Sequence, residues 1–372
     1  MRPLNILFFA DRLPPLIGGM EMHAGYFIEH FTASPRFPLS GVITKNAAGK
    51  DCLITKDSRN LINLKRLPAH LSPTVVFFNS GRWIEELSQI RDTFPKAIFI
   101  YRTGGNEILK APLIYQKILD HSLRQSYWVK QLNSLVDILI TNSGYTEQRL
   151  LKLGITCPFV RCVGGVNTAA FKSVKRTRNK YLTIFCAARF VPYKNHSLLL
   201  SVIHHLVSRG YKLRLRFAGD GPLLLHAKEQ VLRDNLSSVV EFLGVLDNKE
   251  VCHEIMRADV YMQLSTDQIT EVPGGSYIHS EGMGRSILEA LSAGTFVVVS
   301  QSGAFPEVVT GDRGVLVELG DAAHIANQLM SVFKNIPIRH AFSEEFSWAR
   351  VFNRYEELFR DNHENLINYR KM

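Results

Sequence analysis

Two carboxylates stand eight residues apart in the segment Glu281-Gly282-Met283-Gly284-Arg285-Ser286-Ile287-Leu288-Glu289-Ala290-Leu291-Ser292-Ala293-Gly294. Its apolar spacing predicts a helix from about Glu281 to Ala293. On one helix, at about 100° and 1.5 Å per residue, Glu281 and Glu289 fall within roughly 80° of one face and about 12 Å apart along the axis. Carboxylates that cleave one glycosidic bond typically work about 5 to 9.5 Å apart. The pair therefore suits a long ligand with hydroxyls at both ends better than glycoside hydrolysis. Gly282 and Gly284 sit at the helix start, where free backbone N–H groups and the positive end of the macrodipole can hold phosphate oxygens. Gly294 closes the helix where a left-handed residue is wanted. Taken alone, the segment also reads as an amphipathic helix with one capping and one solvated glutamate.

Two cations support the anion-binding reading. The apolar run Leu182 to Ala187 leads into Ala188-Arg189-Phe190-Val191-Pro192-Tyr193-Lys194-Asn195-His196, which puts Arg189 and Lys194 on a loop at a strand's carboxyl end, where ligands of open α/β sheets bind. A guanidinium fork and a compact ammonium together can neutralise a departing diphosphate. Near the start, Pro14-Pro15-Leu16-Ile17-Gly18-Gly19-Met20-Glu21-Met22-His23 follows the first apolar run. Its paired glycines allow a ligand to approach the backbone closely.

The elements that must position these residues alternate between short apolar runs and amphipathic stretches. Leu4 to Ala10, Val75 to Phe78, Ala97 to Tyr101 and Ile138 to Thr141 read as buried parallel strands, and Met20 to Phe31 as a helix. The pattern repeats with strands Leu182 to Ala187, Leu213 to Ala218, Val239 to Leu243, Val260 to Leu264 and Thr295 to Ser300. Helices are expected over His196 to Ser208 and Leu223 to Leu232, and the turn Gly219-Asp220-Gly221-Pro222 precedes the second. Between the two halves, Lys172 to Lys180 is polar and basic, as linkers are. The expected fold class is therefore α/β, with two Rossmann-like, doubly wound domains facing a cleft. Residues 1–172 form the first domain and 173–349 the second. The tail from Ser347 to Phe359 has the helical spacing of large apolar residues that suits packing across both domains.

Composition sets the outer bounds. At 372 residues, 46% apolar and 21% charged, the chain is a folded protein long enough for two domains. No uncharged apolar run approaches the roughly 18 residues of a membrane-crossing helix, and the opening apolar run reads as a strand rather than a signal-peptide core. The five cysteines are odd in number, without C-x-x-C or zinc spacing, which suits structural thiols in a reducing compartment. The net charge of +10 is concentrated: up to Lys172 there are 21 Lys/Arg against 12 Asp/Glu, and beyond it 23 against 22. Such a basic first half favours an anionic partner, such as a bilayer surface. A basic nucleic-acid-binding protein is the alternative of another class that this charge suggests; it ranks lower and no nucleic-acid partner is expected, because no aromatic residues interleave with the cations in an RNA-binding pattern and the second half is nearly neutral.

Taken together, the segments resemble the retaining nucleotide-sugar glycosyltransferases of family four, which have the GT-B fold. The resemblance is carried by Gly18-Gly19-Met20-Glu21-Met22-His23, Gly164-Gly165-Val166-Asn167-Thr168-Ala169-Ala170-Phe171, Arg189-Phe190-Val191-Pro192-Tyr193-Lys194, Gly219-Asp220-Gly221-Pro222, the Glu281 and Glu289 pair, and the Trp348 tail. These span nearly the whole chain in the family's order. Two departures stand out. Asn167 replaces a more usual Asp, a change expected to be tolerated, and no His follows the strand ending at Tyr101.

The resemblance implies transfer of a sugar from a UDP- or GDP-linked donor to a hydroxyl of a glycan or lipid-linked acceptor, with retention of configuration. It implies Arg189 and Lys194 on the donor diphosphate, the backbone of Gly282, Met283, Gly284, Arg285 and Ser286 on phosphate and sugar, Glu281 on the transferred sugar and Glu289 on the ribose. Gly19 would close the donor pocket, while Arg102, Asn106 and His279 are the expected sugar or acceptor contacts. No metal or other cofactor is expected, since cations take the metal's electrostatic part. The resemblance further implies that a helix from about 350 to 372 crosses back to the first domain. The expected setting is cytoplasmic, with the basic first domain suiting a peripheral position at the inner membrane face. A nucleotide-sugar epimerase or a sugar phosphorylase on the same fold ranks lower, since neither a G-x-G-x-x-G fingerprint nor a pyridoxal lysine context is present.

Overall fold

The structure, a computed structural model, describes residues 3–15, 18–45, 51–54, 59–61, 67, 71–79, 83–104, 107–111, 119–171, 181–334, 336 and 342–369. The basic stretch 172–180, read as a linker, and Asn106, read as a sugar or acceptor contact, lie outside the described residues. The chain divides into two compact units. The first comprises Met1–Val163, Thr270–Tyr277 and Trp348–Met372, and the second Gly164–Ile269 and Ile278–Ser347. Thr270–Tyr277 groups with the first unit although it falls inside the stretch 173–349 read as one domain.

In chain order the first unit contains β1 (Ile6–Ala10), α1 (Gly19–Thr32), β2 (Leu39–Lys45), β3 (Asp51–Ile54), β4 (Arg59–Leu61), β5 (Val75–Asn79), α2 (Leu87–Thr93), β6 (Ile98–Arg102), α3 (Glu107–Lys110), α4 (His121–Leu135), β7 (Ile138–Thr141), α5 (Gly144–Lys152) and β8 (Phe159–Arg161). They form one eight-stranded sheet in the order β4-β3-β2-β1-β5-β6-β7-β8. It is parallel except for the antiparallel pairs β2/β3 and β3/β4 at one edge. Every residue of β1 is buried, as expected of a strand covered on both faces. Ile6, Phe8 and Ala10 belong to one core, and Leu7 and Phe9 to the other, following the two-residue alternation of a strand.

The second unit contains β9 (Leu182–Ala187), α6 (His196–Ser208), β10 (Leu213–Ala218), α7 (Leu224–Arg233), β11 (Val240–Phe242), α8 (Asn248–Arg257), β12 (Val260–Gln263), α9 (Arg285–Ser292), β15 (Phe296–Ser300), α10 (Phe305–Val308), β16 (Gly314–Val317) and α11 (Ala322–Lys334), while β13 (Gln268–Val272) and β14 (Gly275–His279), between β12 and α9 in the chain, lie mostly in Thr270–Tyr277 of the first unit. Its six-stranded sheet runs β11-β10-β9-β12-β15-β16, and its adjacent strands pair in parallel. The chain winds outward from β9 in one direction and then from β12 in the other, so the strand order reverses between them. That reversal opens a crevice at the carboxyl ends of β9 and β12. β13 and β14 form a separate two-stranded hairpin.

The last helix, α12 (Trp348–Tyr369), packs within the first unit against α1. Tyr26 stacks on Trp348 with ring centroids 4.9 Å apart, and the buried His23 meets the Tyr355 hydroxyl at 3.0 Å through Nε2. Burial and the nearby Arg102 charge hold His23 well below its ordinary pKa. The His of the Gly18–His23 segment is thus a neutral core residue joining two helices. All five cysteines are free, and burial pushes the Cys186 and Cys252 thiols up to about 12.

Candidate active site

Lys194 owes its place to local backbone chemistry. After β9 the chain makes a 3₁₀ turn over Pro192–Lys194, with Pro192 at its first position. Asn195 then takes the left-handed conformation at φ 54, which Asn tolerates better than most residues. The Asn195 amide bonds Pro192 O at 3.0 Å, and the Thr266 amide bonds Tyr193 O at 2.8 Å, tying the turn to the chain that follows β12. Gly219-Asp220-Gly221 supports the turn from below. A Cβ at Gly219 (φ +133) would lie 2.2 Å from Ala188 O, and one at Gly221 (φ +154) 2.6 Å from Phe190 O. The two glycines let this loop lie directly on the Arg189 loop, where the Phe190 amide bonds Asp220 O at 3.0 Å.

Glu281 is positioned differently from the sequence reading. The helix begins at Arg285, four residues later than expected, because Gly284 adopts φ +74 and ends the preceding loop as the N-cap. A Cβ there would also meet the Phe305 ring at 2.7 Å. Glu281 therefore precedes the helix, and the one-face, 12 Å relation to Glu289 along a common axis does not hold. The turn after β15 fixes Glu281 instead: Gly303 (φ +56) packs on its backbone, and the Ala304 amide bonds Glu281 O at 2.9 Å.

The structure brings Lys194 and Glu281 together. Lys194 Nζ lies 2.5 Å from Glu281 Oε1, with side chains only 14% and 7% exposed. Gln263 Nε2 and Ser265 Oγ donate to the same oxygen at 2.8 Å each. No hydrogen bond to Oε2 is found among the described residues. Burial alone would lower the Lys194 pKa, but the adjacent carboxylate outweighs it and the ammonium is held more firmly than usual. The Tyr261 hydroxyl links Gln263 Oε1 (3.0 Å), Ser286 Oγ (2.7 Å) and Ala187 O (3.2 Å). A continuous polar network therefore runs from the end of β9, across β12, to the start of α9. It occupies the crevice where the strand order reverses.

The other expected residues divide. Ser286 joins the network, and Gly282 and Met283 form the half-buried loop between Glu281 and the helix. Glu289 is buried in α9; Asn248 Nδ2 reaches its Oε1 at 3.0 Å and Arg285 Nε at 3.4 Å. Burial raises its pKa, and Arg285 opposes that shift. His279 stacks on Tyr193 with ring centroids 4.1 Å apart, beside Lys194. Arg189 is exposed and forms no ion pair among the described residues. Gly19 and Arg102 lie in the first unit: Gly19 is exposed, with nothing within 4 Å of an added Cβ, and Arg102 is buried at the end of β6. Tyr261, Gln263, Ser265, Tyr193 and Asn248 escaped the sequence reading. Tyr261, Gln263 and Ser265 follow one another at every second position, the signature of one strand face, and were legible as a polar stripe in an apolar run. Among the described residues no cluster of three or more His, Cys, Asp or Glu could hold a metal ion, and no helix is long and apolar enough to cross a membrane.

Residues 167–346, most of the second unit, match the family of glycosyl transferases group 1. Two curated relatives extend that likeness. Over 230 residues the chain is 26% identical to the GDP-mannose-dependent monoacylated alpha-(1-6)-phosphatidylinositol monomannoside mannosyltransferase of Corynebacterium glutamicum, covering 59% of this chain and 58% of that one. Over 193 residues it is 23% identical to the phosphatidylinositol N-acetylglucosaminyltransferase GPI3 subunit of Saccharomyces cerevisiae, covering 50% and 40%. The chain thus spans roughly two fifths to three fifths of the length of these relatives. Among solved structures it resembles HepE of Anabaena in complex with UDP, at a TM-score of 0.69 and 14% identity, covering 96% of this chain and 100% of that one. The fold is GT-B, built from two Rossmann-like units.

Proposed function

We propose that the protein is a retaining glycosyltransferase of family four, moving a sugar from a UDP- or GDP-diphosphate donor to a hydroxyl of a glycan or lipid-linked acceptor. The observation that carries this reading is the Lys194–Glu281 pair at the carboxyl-end crevice of β9 and β12. An ammonium has three donors; one goes to Glu281, and the other two suit phosphate oxygens. The three donors on Glu281 Oε1 orient the carboxylate so that Oε2 accepts from a sugar hydroxyl. Arg189, exposed on the same loop, adds a second cation for the leaving diphosphate.

In the proposed reaction the bond from the anomeric carbon to the β-phosphate oxygen breaks, and a bond from that carbon to the acceptor oxygen forms on the same face. The acceptor's proton passes to the departing diphosphate. Lys194, Arg189 and the amides from Gly282 to Ser286 stabilise the charge that grows on this leaving group, a form of electrostatic catalysis, and no metal is assigned to the step. Glu289 takes the ribose of the donor, and His279 on its Tyr193 platform flanks the sugar. The basic first half fits a peripheral position at the cytoplasmic membrane face, which salt-sensitive binding to anionic vesicles would reveal.

A thermal-shift screen against UDP-, GDP- and ADP-sugars tests the reading, since a ligand of the folded state raises its apparent stability. A rise with one uridine or guanosine donor, together with sugar transfer on addition of acceptor, is expected. No response to any nucleotide sugar would overturn it.

A further inference from the structure

Several largely buried arginines among the described residues pair with acids, and Arg102 does not. The Arg91 side chain, 21% exposed, meets Asp137 Oδ2 at 2.8 Å, and Arg216, 17% exposed, meets Glu241 at 2.9 Å and also Glu254. Arg285, 24% exposed, lies against Glu289. Arg102 is more deeply buried, at 6% residue exposure, yet among the described residues no carboxylate oxygen comes within 4.0 Å of its guanidinium. Its contacts are neutral: Met20 Sδ at 3.1 Å, Asn79 Oδ1 at 3.4 Å and the phenol of Tyr355. His23, held neutral, adds no negative charge. A guanidinium does not lose its proton to relieve this, and buried charges are ordinarily paired.

The position of Arg102 suggests what completes it. It is the last residue of β6, in register with Asn79, the last of β5. Asn79 Nδ2 in turn bonds Met20 O, on the first turn of α1. In the first unit the strand order reverses between β1 and β5, so Arg102, at the carboxyl end of the strand beside β5, lies next to the place where α/β units take ligands. The group on its Nη1 is a thioether, a weak acceptor on a flexible side chain. An incoming oxyanion, with its stronger charge-assisted bond, displaces it readily.

We propose that Arg102 recognises an oxyanion, a carboxylate or phosphate group, on the acceptor that enters the first unit. The anion site stands on the geometry of this unit alone; that its ligand is an acceptor rests on the glycosyl-transfer reading. The acceptor is then an acidic glycan or a phosphorylated lipid or sugar, and Arg102 discriminates it from a neutral one.

The test is thermal unfolding of the full chain in low-salt buffer with added glycerol 3-phosphate, methyl glucuronide or neutral methyl glucoside, for the wild type, Arg102→Met and Arg102→Lys. One of the two anions raises the wild-type Tm and the neutral glycoside does not; Arg102→Met abolishes the rise, and Arg102→Lys keeps part of it. A response to glycerol 3-phosphate names a phosphorylated acceptor, and a response to the glucuronide a uronic acid. Without anion, Arg102→Met melts at or above the wild-type temperature, because an unpaired buried charge has been removed. The proposal is overturned if neither anion shifts the wild type, or if the shift persists in Arg102→Met. Should Arg102→Met not fold, an undiminished shift in Arg102→Lys overturns it equally. Nucleotide-sugar binding by the same preparations reports on the transfer reading separately, so either can fail without the other.

Discussion

Lys194 and Glu281 are 87 residues apart in sequence, yet Nζ and Oε1 meet at 2.5 Å within one crevice. Each holds the other in an environment that neither would occupy charged by itself. Removing one partner of a buried pair leaves the other uncompensated, which typically costs about 3 to 5 kcal/mol. Glu281→Gln is expected to lower stability by about 3 kcal/mol, and Lys194→Met combined with Glu281→Gln by less than the sum of the single changes. Urea unfolding of the three variants measures this, and additive losses would show that the two side chains do not interact.

The glycine turn at 219–221 has a mechanical part. Gly221→Ala places a methyl group 2.6 Å from Phe190 O on a residue at φ +154. The loop bearing Arg189 must move to accommodate it. A stability loss of about 1 to 3 kcal/mol is expected, together with weaker nucleotide-sugar binding. Unchanged binding in a destabilised variant would separate the turn from the site.

Gly19 is the opposite case. An added Cβ there meets nothing within 4 Å, and Gly to Ala within a helix ordinarily stabilises by about 0.5 to 1 kcal/mol. Gly19→Ala should therefore melt at or above the wild-type temperature, while transfer activity falls if a ligand approaches this backbone. Full activity with raised Tm would remove Gly19 from the site.

His196 supplies a pH signature. It stacks on Phe190 at 4.0 Å between centroids, neither ring nitrogen finds a hydrogen-bond partner among the described residues, and burial, followed by the Lys194 charge, pushes its pKa from 6.5 to about 3. Above pH 6.5 both folded and unfolded chains are neutral at this residue, and it contributes nothing. Between 6.5 and 3 the unfolded chain binds a proton that the folded chain refuses, so stability falls by about 1.4 kcal/mol per pH unit. In His196→Leu this part of the slope should vanish, with stability at pH 7 little changed. Denaturant titrations at pH 7, 6 and 5 give the slopes; equal slopes in both proteins would refute the assignment.

Much of this organisation was legible because parallel strands covered on both faces are continuous apolar runs. β7, β9 and β10 appear with the expected bounds, and β1, β5, β6, β12 and β15 within two residues of them. The hairpin β13–β14 was not legible: most of its residues are exposed or half-buried, so no buried face imposes a pattern on it. The start of α9 was misplaced because apolar spacing does not reveal that Gly284 turns left-handed. The cations of the site announced themselves by position after a strand. Gln263 and Ser265, which orient Glu281, showed only as alternate polar residues at a strand end, and such residues are equally solvated ones until the fold closes over them.

The most direct test of the central claim is titration calorimetry of UDP- and GDP-sugars into the wild type and Lys194→Ala, with circular dichroism confirming that both are folded. The wild type is expected to bind at least one of these donors, and Lys194→Ala to bind it at least tenfold more weakly, a loss of about 1.4 kcal/mol or more. Equal affinity in the two proteins, or no binding of any nucleotide sugar by the wild type, would contradict that claim.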